Sequence, residues 1–430
     1  MPVVPDGSDN GDLGDISELI AGHAEALSQK LQVLRLKQFP PSAQKPLRQF
    51  GIAEASKLLG VSAGYLKNLS LEGKGPVPDM SRSRRRFYTA EQIGELRAYF
   101  EKNGLSNRIY MPHRRGNEHL QIIAVVNFKG GSCKTTTATY LAQHLALRGY
   151  RVLAGDLDPQ ASLTAMFRLQ PEFDLGPNES LYATVRYDQQ RRPLSEIIRR
   201  TNFPGLDLVP GAIDVSEFEY DTPNLLAKSD GRETATYYSR LETALGEVRD
   251  DYDVVILDCP PQLGFLTLAA LCTATSVLIT VHPQMLDVMS MCQFLAMMAG
   301  NLGTMKRVGA DLSYDWLRYL ITRFEPGDGP QAQMVAFMRS LFGEYVLKHP
   351  MLKSVAISDA GMTKQTLYEV GRREFTTATY DRVMDSLDAV NGEIEGLIRA
   401  AWGRGEGSLV LPEKSELRRI TSAEGATDGA

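Results

Sequence analysis

The feature that most constrains this chain is a glycine-rich loop that stands between a short apolar run and a segment with helical spacing. The apolar run covers residues 123–126 (IAVV), and the loop covers residues 127–136 (NFKGGSCKTT). When a strand enters a helix through such a turn, successive backbone N–H groups and the helix N-terminus point at a bound anion. The sequence therefore predicts a phosphate-binding loop at the edge of an α/β sheet.

Individual residues of this loop have predicted roles. Lys134 is expected to supply a positive charge at the β- and γ-phosphates, and the hydroxyl of Thr135 is placed to ligate Mg²⁺. The loop departs from the usual pattern because Phe128 stands where the first glycine would be and Cys133 stands just before the lysine, where another would be. We predict that consecutive residues contact the nucleotide: Lys129, Gly130, Gly131, Ser132, Cys133, Lys134, Thr135 and Thr136.

The chain from residue 120 onward alternates short β-branched runs with helical segments. Apolar runs without alternation suit parallel strands that are buried on both faces. Strands and helices that take turns indicate a doubly wound domain. The predicted fold class is therefore α/β, a P-loop domain with a doubly wound, mostly parallel sheet, preceded by an all-α, winged helix-turn-helix domain. The predicted strands cover residues 122–127, 152–156, 206–209, 254–258, 276–281 and 317–322.

Acidic residues end two of these predicted strands. Asp156 and Asp158 close the second run, and Asp258 closes the fourth. Because parallel sheets bind ligands at the carboxyl ends of their strands, we expect these acids to lie near the phosphates. Asp258 is predicted to hold Mg²⁺ through water. Thr322 and Arg323, which follow the sixth strand, are candidate adenine contacts.

Charge is distributed unevenly along the chain. The whole protein of 430 residues has a formal net charge of -5, whereas residues 40–115 hold 14 Lys+Arg against 6 Asp+Glu. A basic segment on an acidic protein indicates a separate module with an anionic partner. The four scattered cysteines predict neither a disulfide framework nor a metal site, and they fit a reducing compartment. We expect no transmembrane segment and no secretory signal.

The basic segment has the pattern of a helix-turn-helix with a wing. Residues 52–59 form a short amphipathic helix, and after Gly60 the hydroxyl of Ser62 can cap a second helix through Leu69. An arginine-rich extended stretch follows, and residues 89–92 (TAEQ) form a capping box for a third helix to about Phe100. Residues 50–96 resemble MerR-like winged helix-turn-helix domains, whose second helix enters the major groove, and this resemblance implies DNA contacts by Ser62, Tyr65, Lys67, Asn68, Arg82, Arg84, Arg85 and Arg86.

Four regions are predicted. Residues 1–46 form an N-terminal arm with an amphipathic helix from Ile16 to Leu36, either packed on its own chain or used for dimerisation. Residues 47–115 form the winged helix-turn-helix domain and a linker, and residues 116–402 form the ATPase domain. Residues 403–430 are rich in Gly, Glu and Ser and are expected to be a flexible tail.

Residues 120–400 resemble the ParA family of partition ATPases. The loop is similar to their deviant Walker A loop, in which the early lysine, here Lys129, reaches across a dimer to the partner's nucleotide. Residues 156–160 (DLDPQ) resemble the family's switch I, which implies that Asp158 orients or deprotonates the attacking water and that Asp156 assists the metal shell. Pro260, Pro261 and Gly264 resemble a switch II that senses the γ-phosphate. The resemblance thus implies Asp158, Lys129 and Lys134 as catalytic residues.

Two further resemblances refine this interpretation. Residues 111–115 and 276–289 are similar to one subgroup, the RepA partition ATPases of repABC-type plasmids. Residues 50–96 are similar to MerR-like winged helix-turn-helix domains. The family implies ATP and Mg²⁺ as cofactors, a homodimer without membrane attachment, non-specific DNA binding and a cytoplasmic, nucleoid-associated protein. It also implies stimulation by a ParB-like partner (RepB in this subgroup) and repression of the protein's own operon through a specific operator.

Three alternatives remain in other functional classes. A MinD-like positioning ATPase needs a C-terminal amphipathic helix, which residues 403–430 do not supply. An iron-protein-like redox ATPase needs cysteines that hold a cluster, whereas Cys272 and Cys292 lie in apolar helical stretches. A DNA-binding repressor that senses ATP without a motor role differs only in the purpose of its nucleotide site.

Overall fold

A computed structural model describes residues 16–38, 47–103, 110–228, 237–362 and 364–404. The chain divides into two compact units, one before residue 47 and one from residue 47 onward. The first unit contains helix α1 (Ile16–Gln38), which confirms the predicted N-terminal helix. The apolar side chains of Ile20, Leu27 and Leu31 are exposed on it. The tail expected beyond residue 404 lies outside the described residues, as do residues 1–15.

The second unit begins with three helices and three short strands in the segment predicted as a winged helix-turn-helix, which is called the winged module below. In its small antiparallel sheet, β3 lies between β1 and β2. The predicted caps are confirmed: the Ser62 hydroxyl accepts from the N–H of Tyr65 at 3.1 Å, and Thr89 and Gln92 form the capping box of α4. The elements of this module are β1 (Phe50–Gly51), α2 (Ile52–Leu59), α3 (Ala63–Leu71), β2 (Asp79–Met80), β3 (Arg86–Tyr88) and α4 (Ala90–Lys102).

The rest of the unit is built on a larger sheet. Within the described residues its seven strands have the order β10-β9-β4-β8-β5-β7-β6, and only the β6–β7 pair is antiparallel. The two central strands β4 and β8 are buried along their whole length, as expected for apolar runs covered on both faces. The strands are β4 (Gln121–Val126), β5 (Val152–Asp156), β6 (Arg199–Arg200), β7 (Leu206–Val209), β8 (Val254–Asp258), β9 (Ser276–Val281) and β10 (Trp316–Ile321).

Helices connect these strands and complete the predicted doubly wound α/β domain. Among the described helices, α5 (Lys134–Arg148), which follows the glycine loop, has the most buried residues, and α16 (Thr377–Ala401), which packs against it, is the longest. The others are α6 (Ser162–Met166), α7 (Pro171–Asp174), α8 (Tyr182–Val185), α9 (Leu194–Ile197), α10 (Glu217–Lys228), α11 (Arg240–Gly246), α12 (Phe265–Thr273), α13 (Met285–Arg307), α14 (Gly329–Phe342) and α15 (Val355–Met362).

Helix α13 corrects the expectation that no segment is long and apolar enough to cross a membrane. Residues 288–305 carry no charged side chain, and α13 passes a test of length and composition for a membrane span. The same test is passed by core helices of soluble proteins, so one such helix is weak evidence. Phe294, Met298 and Met305 are buried in the apolar core of the ATPase domain, which explains the apolar character of one side of the helix.

The winged module and the ATPase domain share one apolar core. A single cluster of buried side chains extends from Phe50, Leu59 and Phe100 in the module to Leu145 and Ile394 in α5 and α16. The residues on both sides of position 115 therefore belong to one compact unit. The winged module therefore has a fixed seat on the ATPase domain, and this seat includes α5, the helix that begins at the glycine loop.

Candidate nucleotide site

The glycine loop leaves the carboxyl end of β4 and enters α5 in a conformation that few residues adopt. Gly131 and Cys133 both have left-handed backbone torsions, with φ of +79° and +65°. This conformation costs a non-glycine residue about 1–2 kcal/mol. The side chain of Cys133 forms no capping hydrogen bond at the start of α5. The loop therefore keeps the backbone course of a phosphate-binding turn even though a cysteine occupies a position that favours glycine.

Polar side chains from three neighbouring strands support the loop from below. The amide of Asn127 donates to the carbonyl of Thr280, and its oxygen accepts from the N–H of Lys129 at 2.9 Å. The Thr280 hydroxyl donates to the Ser132 hydroxyl at 3.1 Å. Sequence reasoning missed Asn127 and Thr280, although a polar residue at or next to the end of a buried apolar run was a signal for both.

Thr322 and Arg323 also contact the loop. The buried Thr322 hydroxyl donates to the carbonyl of Ser132 at 3.0 Å, and the guanidinium of Arg323 donates to the carbonyl of Gly131 at 3.5 Å. Arg323 is exposed and has a left-handed φ of +52°. Both residues thus lie beside the predicted phosphates, and their part in adenine binding stays a prediction.

Lys134 is the buried cation of the site. Lys134 is 7% exposed. Its ammonium donates to the carbonyl of Lys129 at 3.3 Å, so the side chain folds back across the loop. Burial lowers the pKa of Lys134, while the charge of Asp258 opposes this shift. A cation that is already removed from water interacts strongly with an arriving anion.

Asp258 is the buried anion that faces this cation. Among the described residues neither carboxylate oxygen accepts a hydrogen bond of ordinary geometry, although the Thr135 hydroxyl is near enough to oppose the rise of its pKa. Burial raises its pKa well above the ordinary value, and the charge of Asp156, its register partner on β5, raises the pKa further. An orphaned buried carboxylate is costly unless a cation completes it. The site therefore fits Mg²⁺.

The described residues contain no group of three or more His, Cys, Asp or Glu side chains that could hold a metal alone. Mg²⁺ commonly takes only one or two protein oxygens and completes its shell with phosphate and water. Asp258 together with the hydroxyl of Thr135 is therefore a sufficient protein contribution when a nucleotide is bound.

Asp156 is fully engaged by the chain itself. One carboxylate oxygen accepts from both the N–H and the hydroxyl of Thr164 at 2.7 Å, and the other accepts from the N–H of Asp158 at 3.2 Å. Burial raises the pKa of Asp156 to about 6. These bonds order the turn that presents Asp158, whose carboxylate accepts from the N–H of Gln160. The role of Asp156 in the metal shell stays a prediction.

Lys129 is held by an acid from a different element. Its ammonium forms an ion pair with Asp287 in the first turn of α13, and the other oxygen of Asp287 lies 2.9 Å from Nδ1 of His282. The Lys129 side chain is 46% exposed, whereas that of Asp287 is 9% exposed. Sequence reasoning singled out Lys129 and missed Asp287, because the two residues are far apart in the chain.

A glutamate fixes the predicted switch II. Glu219 of α10 accepts from the backbone N–H groups of Phe265 and Leu266 at 2.9 and 3.0 Å, so a carboxylate lies at the N-terminus of α12. A Cβ at Gly264 would lie 2.5 Å from the Glu219 oxygens, so a larger residue there would displace this carboxylate from the N-terminus of α12. The segment after Asp258 is thus tied to α10, and no sequence motif indicated this contact.

The predicted DNA contacts lie on the winged module. Lys67, Asn68, Arg82, Arg84 and Arg85 are exposed, and Nε of Arg86 donates to the Ser70 hydroxyl at 3.3 Å. Tyr65 differs from the expectation that it points outward, because its half-buried ring lies 5.8 Å from that of Phe100. The Ser62 hydroxyl serves as the cap of α3. Their contacts with DNA stay predictions.

Comparisons with known proteins agree with this geometry. Residues 120–304 match a family model described as an AAA domain. The chain is 58% identical over 388 residues to a replication protein A of Sinorhizobium fredii (strain NBRC 101917 / NGR234), covering 90% of this chain and 95% of that protein. It is 31% identical over 245 residues to the chromosome partitioning protein ParA of Myxococcus xanthus (strain DK1622), covering 56% of this chain and 77% of that protein.

A solved structure supports the fold. The crystal structure of cobyrinic acid a,c-diamide synthase from Mycobacterium smegmatis, with bound ADP and magnesium, has a TM-score of 0.51 and 24% sequence identity. The match covers 68% of this chain and 100% of the synthase chain. The predicted P-loop sheet is thereby confirmed, and the neighbour's bound ADP and magnesium are those of its own site.

Proposed function

Since the chain belongs to the ParA family of partition ATPases, we propose that it segregates a plasmid or a similar replicon by ATP-driven DNA binding. The observation that carries this proposal is a pair of buried groups that face each other, the cation Lys134 at the end of the glycine loop and the carboxylate Asp258 at the end of β8. Such a pair suits a nucleoside triphosphate, whose phosphates bring negative charge to the lysine and whose Mg²⁺ brings positive charge to the aspartate.

The cofactors are ATP and Mg²⁺. Backbone N–H groups of residues 130–136 and the N-terminus of α5 would hold the phosphates. Thr135 and Asp258 would hold the metal, which neutralises phosphate charge when it is bound. Hydrolysis of ATP to ADP and phosphate then depends mainly on positioning and charge. Asp158, presented by the turn that Asp156 orders, is assigned to the attacking water.

Lys129 is assigned to the nucleotide of a second subunit. Its partial exposure at the mouth of the loop leaves it free to turn outward. To do so it must leave Asp287, so the dimer forms at the expense of an ion pair within the chain. We propose an ATP-dependent homodimer that binds DNA non-specifically and releases it after hydrolysis. The exposed apolar side chains of α1 offer a second means of dimerisation.

The winged module is assigned to a specific operator. Its exposed Lys67 and Asn68 lie on α3, the helix that enters the major groove in such modules. The arginines of the wing would pair with phosphates and position the module. We propose that this module represses the protein's own operon and that a ParB-like protein stimulates hydrolysis. The proposed location is the cytoplasm, on the nucleoid.

ATPase assays in four combinations test the motor role: the protein alone, with DNA, with a ParB-like protein of the same replicon, and with both. We expect slow hydrolysis by the protein alone and the fastest hydrolysis with both additions. The matched control is Lys134→Ala under the same four conditions, which should show background rates.

A second candidate is a repressor that senses ATP without a motor role. The core shared by α5 and the winged module favours it, because nucleotide binding at one end of α5 can alter the seat of the module at the other. Equal hydrolysis rates in all four combinations, together with ATP-dependent operator binding, would show that the protein is an ATP-sensing repressor and not a partition motor.

A further inference from the structure

The seat of the winged module on the ATPase domain is built from specific contacts. One guanidinium nitrogen of Arg97 in α4 donates both to the carbonyl of Leu58 in α2 at 2.7 Å and to that of Leu147 in α5 at 3.0 Å. Arg97 is 5% exposed. A Cβ at Gly149, whose φ is +96°, would lie 2.8 Å from the Arg97 side chain. Arg97 thus fixes the ends of two helices against each other.

In this arrangement, part of the basic surface of the winged module faces the ATPase domain. A cleft of about 1650 Å³ lies between the two. Four of the predicted DNA contacts line one side: Lys67, Arg84, Arg85 and Arg86. The other side carries the acidic residues of α16 together with Arg148, Arg372, Arg373 and Arg399. A duplex that met the whole predicted surface would therefore bring its phosphates toward these acids.

The acids form one face of α16. Asp381, Asp385 and Asp388 are spaced by four and three residues and so lie on the same side of the helix. Asp388 forms an ion pair with Lys57 of the winged module at 2.8 Å, and Asp381 pairs with Arg372. The pKa of Lys57 is raised, first by its hydrogen bond to Asp388 and also by the charge of Asp385. The acidic face therefore already binds one cation of the module.

We propose that this acidic face of α16 is an internal competitor for DNA: Asp388 pairs with Lys57 of the winged module, and Asp388 and Asp385 place negative charge in the cleft that the wing lines, so that operator binding is restrained. The inference rests on the proposed operator binding by the winged module. Operator DNA must displace or overcome the carboxylates before the wing and α3 bind together.

The test measures operator affinity in the full-length protein. The probe is a fluorescent duplex taken from the DNA upstream of the chain's own gene, with a scrambled duplex of equal length for comparison. The variant is Asp385→Asn with Asp388→Asn. Its control is Asp359→Asn, which removes an exposed acid from α15, outside the residues that line the cleft. Thermal unfolding of each variant shows whether the fold is retained.

We expect the double variant to bind the operator duplex about three- to tenfold more tightly, on the scale of one released ion pair and one further negative charge removed from the cleft. Its affinity should also depend more steeply on salt, because cations freed from the carboxylates become available to phosphates. The Asp359→Asn control should match the wild type. If the folded double variant has the operator affinity and the salt slope of the wild type, the proposal that α16 competes with DNA is wrong.

A separate arm distinguishes this result from failure of the proposed operator binding. If replacing Arg84, Arg85 and Arg86 by alanine weakens operator binding while the aspartate variants leave it unchanged, only the internal competitor is wrong. If that alanine variant binds as the wild type does, the wing is no DNA contact and the assignment of the module itself is wrong. If the double variant and Asp359→Asn gained operator affinity equally, the gain would come from the change in net charge alone. This result would also overturn the proposal that α16 competes with DNA.

Discussion

The glycine loop and the winged module present their cationic groups to anions in different ways. In the loop, backbone N–H groups and one buried lysine converge on a small volume, and Asn127, Thr280 and Thr322 hold the backbone from below. In the module, most of the predicted contacts are long exposed side chains on a helix and a wing. The loop is organised before its ligand arrives, whereas the module presents mobile cations to a large polyanion.

This difference predicts unequal consequences of substitution. A preorganised, water-poor site loses most of its affinity when one charged group is removed. A solvated basic surface loses affinity in small steps, and each step depends on salt. The two regions also share α5 and one core, so changes in one can be felt in the other.

The largest effect is expected for Lys134→Ala. The variant leaves the phosphates without their buried cation, so ATP affinity should fall about a hundredfold or more. Isothermal titration with ATP and Mg²⁺ measures this loss. Lys306→Ala, at the exposed end of α13, is the matched control and should bind as the wild type does. Equal ATP affinity in the two variants would show that Lys134 does not contribute to ATP binding, and the loop would then not be a preorganised phosphate site.

Asp158→Ala separates binding from hydrolysis within the same region. Removal of a group that positions or deprotonates water slows turnover about 10²- to 10⁴-fold. ATP binding should persist, so the variant should accumulate as an ATP-bound dimer in size-exclusion chromatography. Normal hydrolysis by Asp158→Ala would show that another group positions the water. Asp359→Ala controls for the loss of an exposed acid.

The wing should respond more gradually. Replacing Arg84, Arg85 and Arg86 by alanine removes up to three phosphate contacts, so the slope of log affinity against log salt should become shallower by about 2.7. Fluorescence anisotropy with a duplex at several salt concentrations measures the slope. Because the wing lies outside the loop, ATP affinity should stay unchanged. A slope equal to that of the wild type would mean that the arginines are only a solvated surface.

The smallest effect is expected at the cysteine of the loop. Cys133→Gly removes the cost of a left-handed side chain, about 1–2 kcal/mol, and adds some unfolded-state entropy, about 0.4–1 kcal/mol. The free energy of unfolding should therefore rise by about 1 kcal/mol in urea denaturation, with ATP affinity retained. Cys292→Ala, an exposed position in α13, should change stability by less than about 0.5 kcal/mol. A less stable Cys133→Gly variant would contradict the strain at this position.

Much of the fold was predictable because its signals are local. Strands β5, β7, β8 and β9 have the predicted boundaries, since a run of apolar residues between polar ones is typical of a doubly buried strand. The caps at Ser62 and Thr89 were equally local. The seat of the winged module was not predictable, because it depends on Arg97 meeting carbonyls of two helices that are distant in sequence.

The candidate site shows the same limit. Lys134 and Asp258 follow from the pattern of strand, turn and helix, and the structure brings them together in the core. Asp287 and Glu219 carry no motif, and their roles as partners of Lys129 and of the switch II backbone appear only when α13 and α10 are placed. Residues that belong to a local motif, such as Lys134, can be predicted from the sequence. Residues from distant elements that hold the motif in place, such as Asp287, are identified only once the fold is known.

The central claim is that ATP and Mg²⁺ bind between Lys134 and Asp258. Isothermal titration of the wild-type protein with a non-hydrolysable ATP analogue and Mg²⁺ tests it most directly. We predict one nucleotide per chain, weaker binding when Mg²⁺ is omitted, and no measurable heat with Lys134→Ala. A wild-type protein that releases no heat with the analogue and Mg²⁺, while it remains folded, would contradict the claim.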